Sequence, residues 1–169
     1  MEEFINIEKD ITDIRLMNPL TWAYIGDNVY ELFIRTYLIN TTNLKPHKLH
    51  IEAIKYVKAS AQANILKNIY EDLTEEEKEI VRRGRNAENH HVPKNSNVQE
   101  YMYATAFEAL IGYLYLTKQN KRLKEILNKI VWKNVNGDVV FWQPKNITEC
   151  KNKNVGKRQI KSQFSCIFV

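Results

Sequence analysis

Two long apolar segments constrain the fold of this chain most, because each has the length of a buried helix and each carries a single carboxylate. The segments are YIGDNVYELFIR, which contains Asp27, and ATAFEALIGYLYL, which contains Glu108. A glycine stands close to each acid, and a residue without a side chain lets two helices approach closely. A buried charge costs free energy unless it is paired, hydrogen-bonded or bound to a metal. Each acid therefore either pairs with a buried partner, points to solvent, or meets the other acid at a helix interface.

Two carboxylates at one interface would repel each other, and the pKa of at least one would rise. A divalent cation between them would remove that repulsion. Mg²⁺ binds to few protein carboxylates and completes its shell with water and with phosphate oxygens of a substrate. The third alternative therefore predicts a Mg²⁺ site suited to phosphodiester chemistry, at Asp27 and Glu108.

Apolar residues recur at helical spacing along most of the chain, and strand signals are almost absent, so we predict an all-α body. Pro19 suits the first position of a helix. Thr74, with Glu77 three residues later, is a capping signal. The predicted helices begin at Pro19, at Pro46 (running to about Tyr70), after Thr74 (ending at Gly84), at Val98 and at Lys121, and NGDVVFWQP predicts a turn and a short strand.

Composition predicts a globular body with a basic tail. The chain has 169 residues, 44% of them hydrophobic, which suits one domain with a substantial core. Residues 1–132 contain 18 Lys/Arg and 18 Asp/Glu, whereas residues 133–169 contain 7 and 2. We therefore predict one globular domain over 1–132 and a basic, flexible extension over 133–169.

The same composition bears on the compartment. The acidic start, MEEFINIEKD, does not have the pattern of a signal peptide. No apolar run reaches the roughly 20 residues of a membrane span. Two cysteines near the end form neither a disulfide framework nor a zinc pattern. These features predict a cytoplasmic protein that does not enter a membrane.

The two acidic segments resemble the motifs of the ribonuclease III family. YIGDNVYE resembles that family's signature, in which Gly-Asp follows an apolar pair and a Glu comes four residues after the Asp. FEALIGYLYL resembles the second motif, in which a Glu is followed by Ala, Leu or Ile, and Gly. The order and spacing of both motifs, with KPHKLH, YVKASAQA and RRGRNA between them, resemble Mini-ribonuclease III, the short members without a double-stranded-RNA-binding domain. The resemblance covers residues 17–131.

This resemblance implies a function. Asp27 and Glu108 match the family's metal-binding catalytic acids, and Glu31 matches a signature position with a supporting, structural role. The implied reaction is Mg²⁺-dependent hydrolysis of double-stranded RNA, with Mn²⁺ as a substitute metal, leaving 5′-phosphate and 3′-hydroxyl ends. The implied enzyme is a homodimer that trims the precursor of large-subunit (23S) ribosomal RNA, which a ribosomal protein presents.

The chain departs from the full-length enzymes at three positions where they carry acids. Ala23, Thr105 and Leu20 stand at those positions here. The number of metal ions and their affinity are therefore open. The same departures support an alternative, a noncatalytic ribonuclease III-fold protein that binds RNA on the ribosome. A helical protein-interaction domain is a further alternative, against which the basic RRGR segment argues.

The segment RRGRNAENHHVPK is the candidate RNA contact, because cations and amides at a helix end suit the phosphates and 2′-hydroxyls of an A-form duplex. Composition alone favours another interpretation, in which the arginines compensate the helix dipole at the end of a helix and the following residues form a solvated loop. The candidates are Arg82, Arg83, Arg85, Asn86 and Lys94, with Lys45, Lys48 and His50 as weaker ones.

Aromatic residues are abundant in the apolar helices, and we interpret most of them as core, because a duplex hides its bases from stacking. The set is Tyr101, Tyr103, Phe107, Tyr113 and Tyr115. The apolar faces around Trp22, Tyr30 and Phe33 exceed the needs of one small bundle, so we expect some of them to form the dimer interface.

Overall fold

The computed structural model describes residues 9–87, 97–133 and 139–141, with side chains placed for residues 9–87 and 97–131. The described helices are α1 (Ile11–Leu16), α2 (Pro19–Thr41), α3 (Pro46–Val57), α4 (Ala59–Ile69), α5 (Glu75–Arg85), α6 (Val98–Leu116) and α7 (Asn120–Ile130), with a 3₁₀ turn at Tyr70–Asp72. Two strands, β1 (Val131–Lys133) and β2 (Val139–Phe141), pair antiparallel.

The helices begin where their capping signals predict. Asn18 precedes α2, and its side-chain oxygen accepts a hydrogen bond from the Leu20 amide at 2.9 Å, with Pro19 as the first helical residue. Thr74 and Glu77 form a reciprocal capping box at α5, with backbone-to-side-chain distances of 3.2 and 2.8 Å. These caps satisfy amides that the helix itself leaves without partners.

The single helix predicted from Pro46 to about Tyr70 is wrong, because the chain turns at Lys58. The backbone of Lys58 is extended, with ψ of 148°, and its carbonyl accepts the amides of Ala61 and Gln62 in the new helix. The reason is tertiary: α3 packs on α2, whereas α4 packs on α6. One straight helix does not reach both partners.

The predicted end of α5 at Gly84 is also wrong, because the helix continues to Arg85. Gly84 lies inside it, where a Cβ atom would come within 2.8 Å of the Ala109 Cβ. The glycine here permits close packing of α5 on α6 and does not end the helix. The strand predicted in NGDVVFWQP is confirmed at Val139–Phe141, and it pairs with a strand at Val131–Lys133 that the sequence did not predict.

Helix α6 forms the centre of the domain and packs against α2, α4 and α5. Phe107 and Tyr113 are fully buried, which confirms the interpretation of the aromatic residues as core, whereas Tyr101, Tyr103 and Tyr115 are half-buried. Because α6 is covered on most sides, its apolar residues extend around the helix instead of forming one stripe.

The expected dimer surface around Trp22 and Tyr30 is wrong, because both side chains are buried inside one chain. Trp22 donates its indole N–H to the Ile14 carbonyl at 2.9 Å. Tyr30 packs edge-to-face on Phe107 with ring centroids 4.9 Å apart. Phe33 is half-buried and packs against the same core. Trp22 and Tyr30 therefore belong to the core of one chain, whereas other apolar side chains of α2 stay exposed.

The division into a domain over 1–132 and an extension over 133–169 stays a prediction, since most of that extension lies outside the described residues. Strand β1 runs across the proposed boundary, from residue 131 to 133. Within the described ranges, no helix has the length and apolar character needed to cross a membrane.

Candidate active site at the crossing of two helices

Helices α2 and α6 cross at two glycines, and this crossing positions both acids. A Cβ atom on Gly26 would lie 1.8 Å from the carbonyl oxygen of Glu108, and one on Gly112 would lie 1.9 Å from the carbonyl oxygen of Trp22. The two backbones are thus in direct contact, and only glycine fits on either side. Asp27 directly follows Gly26, so its carboxylate emerges beside Glu108.

The surroundings of the two carboxylates disfavour negative charge. Burial and, to a smaller extent, the charge of Asp27 together raise the pKa of Glu108 from 4.5 to about 8. Burial and then the charge of Glu31 raise the pKa of Asp27. In the described part of the chain no cation offsets them. The alternative in which the two predicted acids meet is therefore the one that the fold realises.

Gln62 is a third member of this site, and the sequence reasoning missed it. It lies on α4 with 1% of its surface exposed, and its side-chain amide lowers the pKa of both Asp27 and Glu108. The available signal was a polar residue inside the small, apolar segment SAQANIL. The signal was not sufficient, because Gln62 reaches the two acids only after the chain bends at Lys58 and turns α4 onto α6. No residue pattern in the sequence indicates that bend.

The described residues contain no cluster of three or more His, Cys, Asp or Glu side chains that suits a metal. Ala23 and Thr105 stand at positions where the full-length enzymes carry acids, and both side chains are buried and neutral. The candidate metal donors are the two carboxylates. Hard oxygen donors of this kind, few in number, suit Mg²⁺, and the His or Cys ligands typical of a zinc site are not beside them in the described residues.

Glu31 and His50 occupy different surroundings. Glu31 forms an ion pair with Arg35 on the exposed side of α2, and its charge acts on Asp27. Its charge therefore reaches the site, and its supporting, structural role stays a prediction. His50 is exposed on α3, as are Lys45 and Lys48 near the start of that helix, and no described contact connects them to the carboxylates.

The predicted RNA-contacting cations differ in how free they are. Arg83 donates to the carbonyls of Arg15 and Met17 at 2.9 and 3.1 Å and covers the Trp22 ring at 4.3 Å. Arg83 therefore connects α5 to the end of α1 through these hydrogen bonds. Arg82 is exposed, and within the described residues it pairs with Glu79 on its own helix.

At the end of α5, Arg85 contacts the exposed Asn86, at 3.3 Å, and faces the Tyr103 ring at 6.0 Å. Because Gly84 packs against Ala106 and Ala109 of α6, this helix end lies beside the segment that carries Glu108. Lys94 lies outside the described residues. A role in RNA binding for any of these side chains stays a prediction.

Comparisons with known proteins identify the class to which this two-helix site belongs. A model of the ribonuclease III domain matches residues 20–119. Mini-ribonuclease 3 from Thermoanaerobacter sp. (strain X514) is 55% identical over 111 residues, which cover 66% of this chain and 78% of that protein. Mini-ribonuclease 3 from Streptococcus pneumoniae is 43% identical over 123 residues, 72% of this chain and 96% of that protein.

A crystal structure of a protein from Fusobacterium nucleatum superposes with a TM-score of 0.62 at 38% identity, over 69% of this chain and 93% of that one. The chain belongs to the ribonuclease III family, within its Mini-ribonuclease III group. The predicted all-α fold of that family and the predicted endoribonuclease activity are confirmed, and the rival reading as a protein-interaction domain is wrong.

Proposed function

We propose that this chain is a Mg²⁺-dependent, homodimeric endoribonuclease that cleaves double-stranded RNA in the cytoplasm, with precursor 23S ribosomal RNA as its substrate. The single observation that carries the proposal is the pair of carboxylates, Asp27 and Glu108, at the glycine crossing of α2 and α6. Their raised pKa values mean that the metal-free site holds charge poorly, so a divalent cation gains more here than at an exposed pair of acids.

Asp27 and Glu108 would hold the metal, with Mn²⁺ as a substitute. A bound Mg²⁺ supplies activation of the attacking water and stabilisation of the charge that develops on the phosphate and the leaving oxygen. The chain itself supplies orientation. The contact between Gly26 and the Glu108 backbone fixes the two acids on rigid helices, where small displacements are costly for catalysis.

Arg82 and Arg85 are the cations best placed to bind RNA phosphates, with Asn86 and Lys94 as further candidates. Both arginines lie in the last turn of α5, and that helix end adjoins the α6 segment of Glu108. Arg83 contributes through packing, because its guanidinium is already committed to backbone carbonyls. A bidentate-capable guanidinium suits phosphate contacts, which position a duplex without reading its sequence.

The proposed dimer needs an apolar surface other than the one around Trp22. Tyr24, Leu32 and Ile39 are 77%, 51% and 63% exposed and fall on one side of α2 at helical spacing. A second copy that covers this side would place the Asp27 edge of α2 near the subunit boundary. Light scattering should then give twice the mass of one chain, and a Leu32→Glu variant should give the mass of one.

The test of activity uses a labelled perfect RNA duplex with Mg²⁺ or with a chelator. We expect Mg²⁺-dependent cuts that disappear in Asp27→Asn and in Glu108→Gln. Glu100→Gln, an acid at the start of the same α6, is the matched control and should cut normally. Cuts that survive both site substitutions would place the active site elsewhere.

Precursor 23S ribosomal RNA, with and without large-subunit ribosomal proteins, is the second substrate to try. Preferential cutting of this RNA over an unrelated duplex is expected if it is the natural substrate. Tight binding of this RNA without preferential cutting would refute it as the natural substrate. Arg82→Glu with Arg85→Glu should weaken binding, and Lys121→Glu on α7 is the exposed control.

A further inference from the structure

Gln62 is a buried carboxamide without a completed hydrogen bond. It lies on α4 with 1% exposure, between Ala61 and Ala63, which are also buried. Within the described ranges, neither its Nε2 nor its Oε1 has a partner at ordinary hydrogen-bond length and angle. Such a group costs folding free energy. A hydrophobic side chain of the same size would suit this position better if packing were its only task.

The surroundings of Gln62 explain what the carboxamide does. Helix α4 packs on α6, and this packing places the buried Gln62 side chain beside the carboxylates of Asp27 and Glu108. A neutral amide favours a charged carboxylate by donating a hydrogen bond to it. An amide nitrogen carries two hydrogens, one for each carboxylate. Among the described residues, no lysine, arginine or histidine lowers the pKa of either acid. Within the described residues, Gln62 is therefore the group that favours the charged form of both acids.

The incomplete hydrogen bonds are consistent with a site that tightens on loading. Catalytic hydrogen bonds are often long in the free protein and shorten only in the bound complex. A charged carboxylate is a stronger acceptor for the amide than a protonated one.

We propose that Gln62 is the positioning residue of the metal site, whose Nε2 holds Asp27 and Glu108 so that both face one divalent cation. The inference rests on the proposed function, since it assumes that these acids bind a metal. A neutral amide on α4 then orients the two acids. Ala23 and Thr105, being neutral and buried, offer no further acid for that purpose.

The experiment compares the wild type with Gln62→Met, which keeps the length of the side chain and removes the amide. Mn²⁺ and Mg²⁺ binding are measured by calorimetry on the full chain, and the unfolding temperature is measured in chelator. We expect metal affinity to fall by roughly 10- to 100-fold, as for other partners that orient metal ligands. The unfolding temperature in chelator should stay equal or rise, because a buried unsatisfied group is removed.

Two further variants complete the test. Gln62→Asn keeps a carboxamide and should recover part of the metal affinity. Asn64→Ala, at an exposed position of the same helix, should change neither quantity. In activity assays, Gln62→Met should need more Mg²⁺ for half-maximal cutting, while the KM for RNA at saturating Mg²⁺ stays within about twofold. A general structural defect would not be rescued by added metal.

The outcomes separate this inference from the proposed function. If the wild type binds metal and cuts RNA but Gln62→Met binds metal equally well, the inference is wrong and the function stands. If Gln62→Met instead loses stability in chelator and shows unchanged metal affinity per folded molecule, Gln62 is structural only and the inference is again wrong. If the wild type neither binds metal nor cuts, both fail.

Discussion

Removal of the buried charge of Glu108 should stabilise the metal-free protein at alkaline pH. The pKa of this carboxyl is raised from 4.5 to about 8 by burial and by the charge of Asp27. Between these two pH values the folded state keeps a proton that the unfolded state has lost, so the free energy of unfolding falls as pH rises. Below pH 4.5 both states are protonated, and the penalty vanishes.

The size of the effect follows from the pKa change. Each pH unit in this window removes about 1.4 kcal/mol, so the loss reaches at most about 5 kcal/mol above pH 8. Part of the Glu108 side chain remains in contact with solvent, which screens the charge, so we expect about 2–5 kcal/mol. Glu108→Gln mimics the protonated acid and should not show this loss.

The assay is urea denaturation in chelator at pH 4.5, 6, 7.5 and 9, at one fixed protein concentration. The difference between Glu108→Gln and the wild type should grow with pH and level off above about 8. Glu100→Gln serves as the control for a charge change on α6. Excess Mg²⁺ at pH 8 should reverse the order, because only the wild type gains binding free energy.

A flat difference across this pH range would refute the reasoning, since it would mean that Glu108 ionises as an exposed acid does. A variant that is less stable than the wild type at pH 9 in chelator would show that the carboxylate is paired with a cation. Asp27→Asn provides an internal check. In this variant, stability should level off at a lower pH than in the wild type, because the charge of Asp27 no longer raises the pKa of Glu108.

Gly26→Ala should destabilise the fold by about 3 kcal/mol or more, because the new Cβ would lie 1.8 Å from the Glu108 carbonyl oxygen; an unchanged unfolding temperature would contradict the close crossing. Arg122→Met should cost about 3 kcal/mol at pH 7, since it leaves Glu77, 5% exposed, without its bidentate partner. Burial alone raises the pKa of Glu77, but hydrogen bonds from Arg122 and from its capping amide hold it below 4.5, so this stabilisation is present above pH 4.5 and should disappear on acidification below it in acid titrations. Mg²⁺ affinity measured by calorimetry should rise between pH 6 and 8 and then level off, because Glu108 must lose its proton to bind.

Sequence determined the local parts of this protein. Caps at Asn18 and Thr74 fix helix starts because they act over three residues, and the two motifs identify Asp27 and Glu108 because their residue types and order are specific. The glycine beside each acid correctly predicted a close approach of two helices, since that requirement is local to the contact. The thin set of acids expected from the neutral residues at 23 and 105 stays a prediction.

The tertiary structure decided everything that depends on which faces meet. The bend at Lys58 has no sequence mark, because it arises from the need of α3 and α4 to reach different partners. Gln62 became part of the site only through that bend. Glycine is the residue type that commonly ends a helix, yet Gly84 lies inside α5, where it allows α6 to pack closely. The pKa of Glu108 likewise has no origin in sequence, because burial and the charge of Asp27 act across the space between two helices.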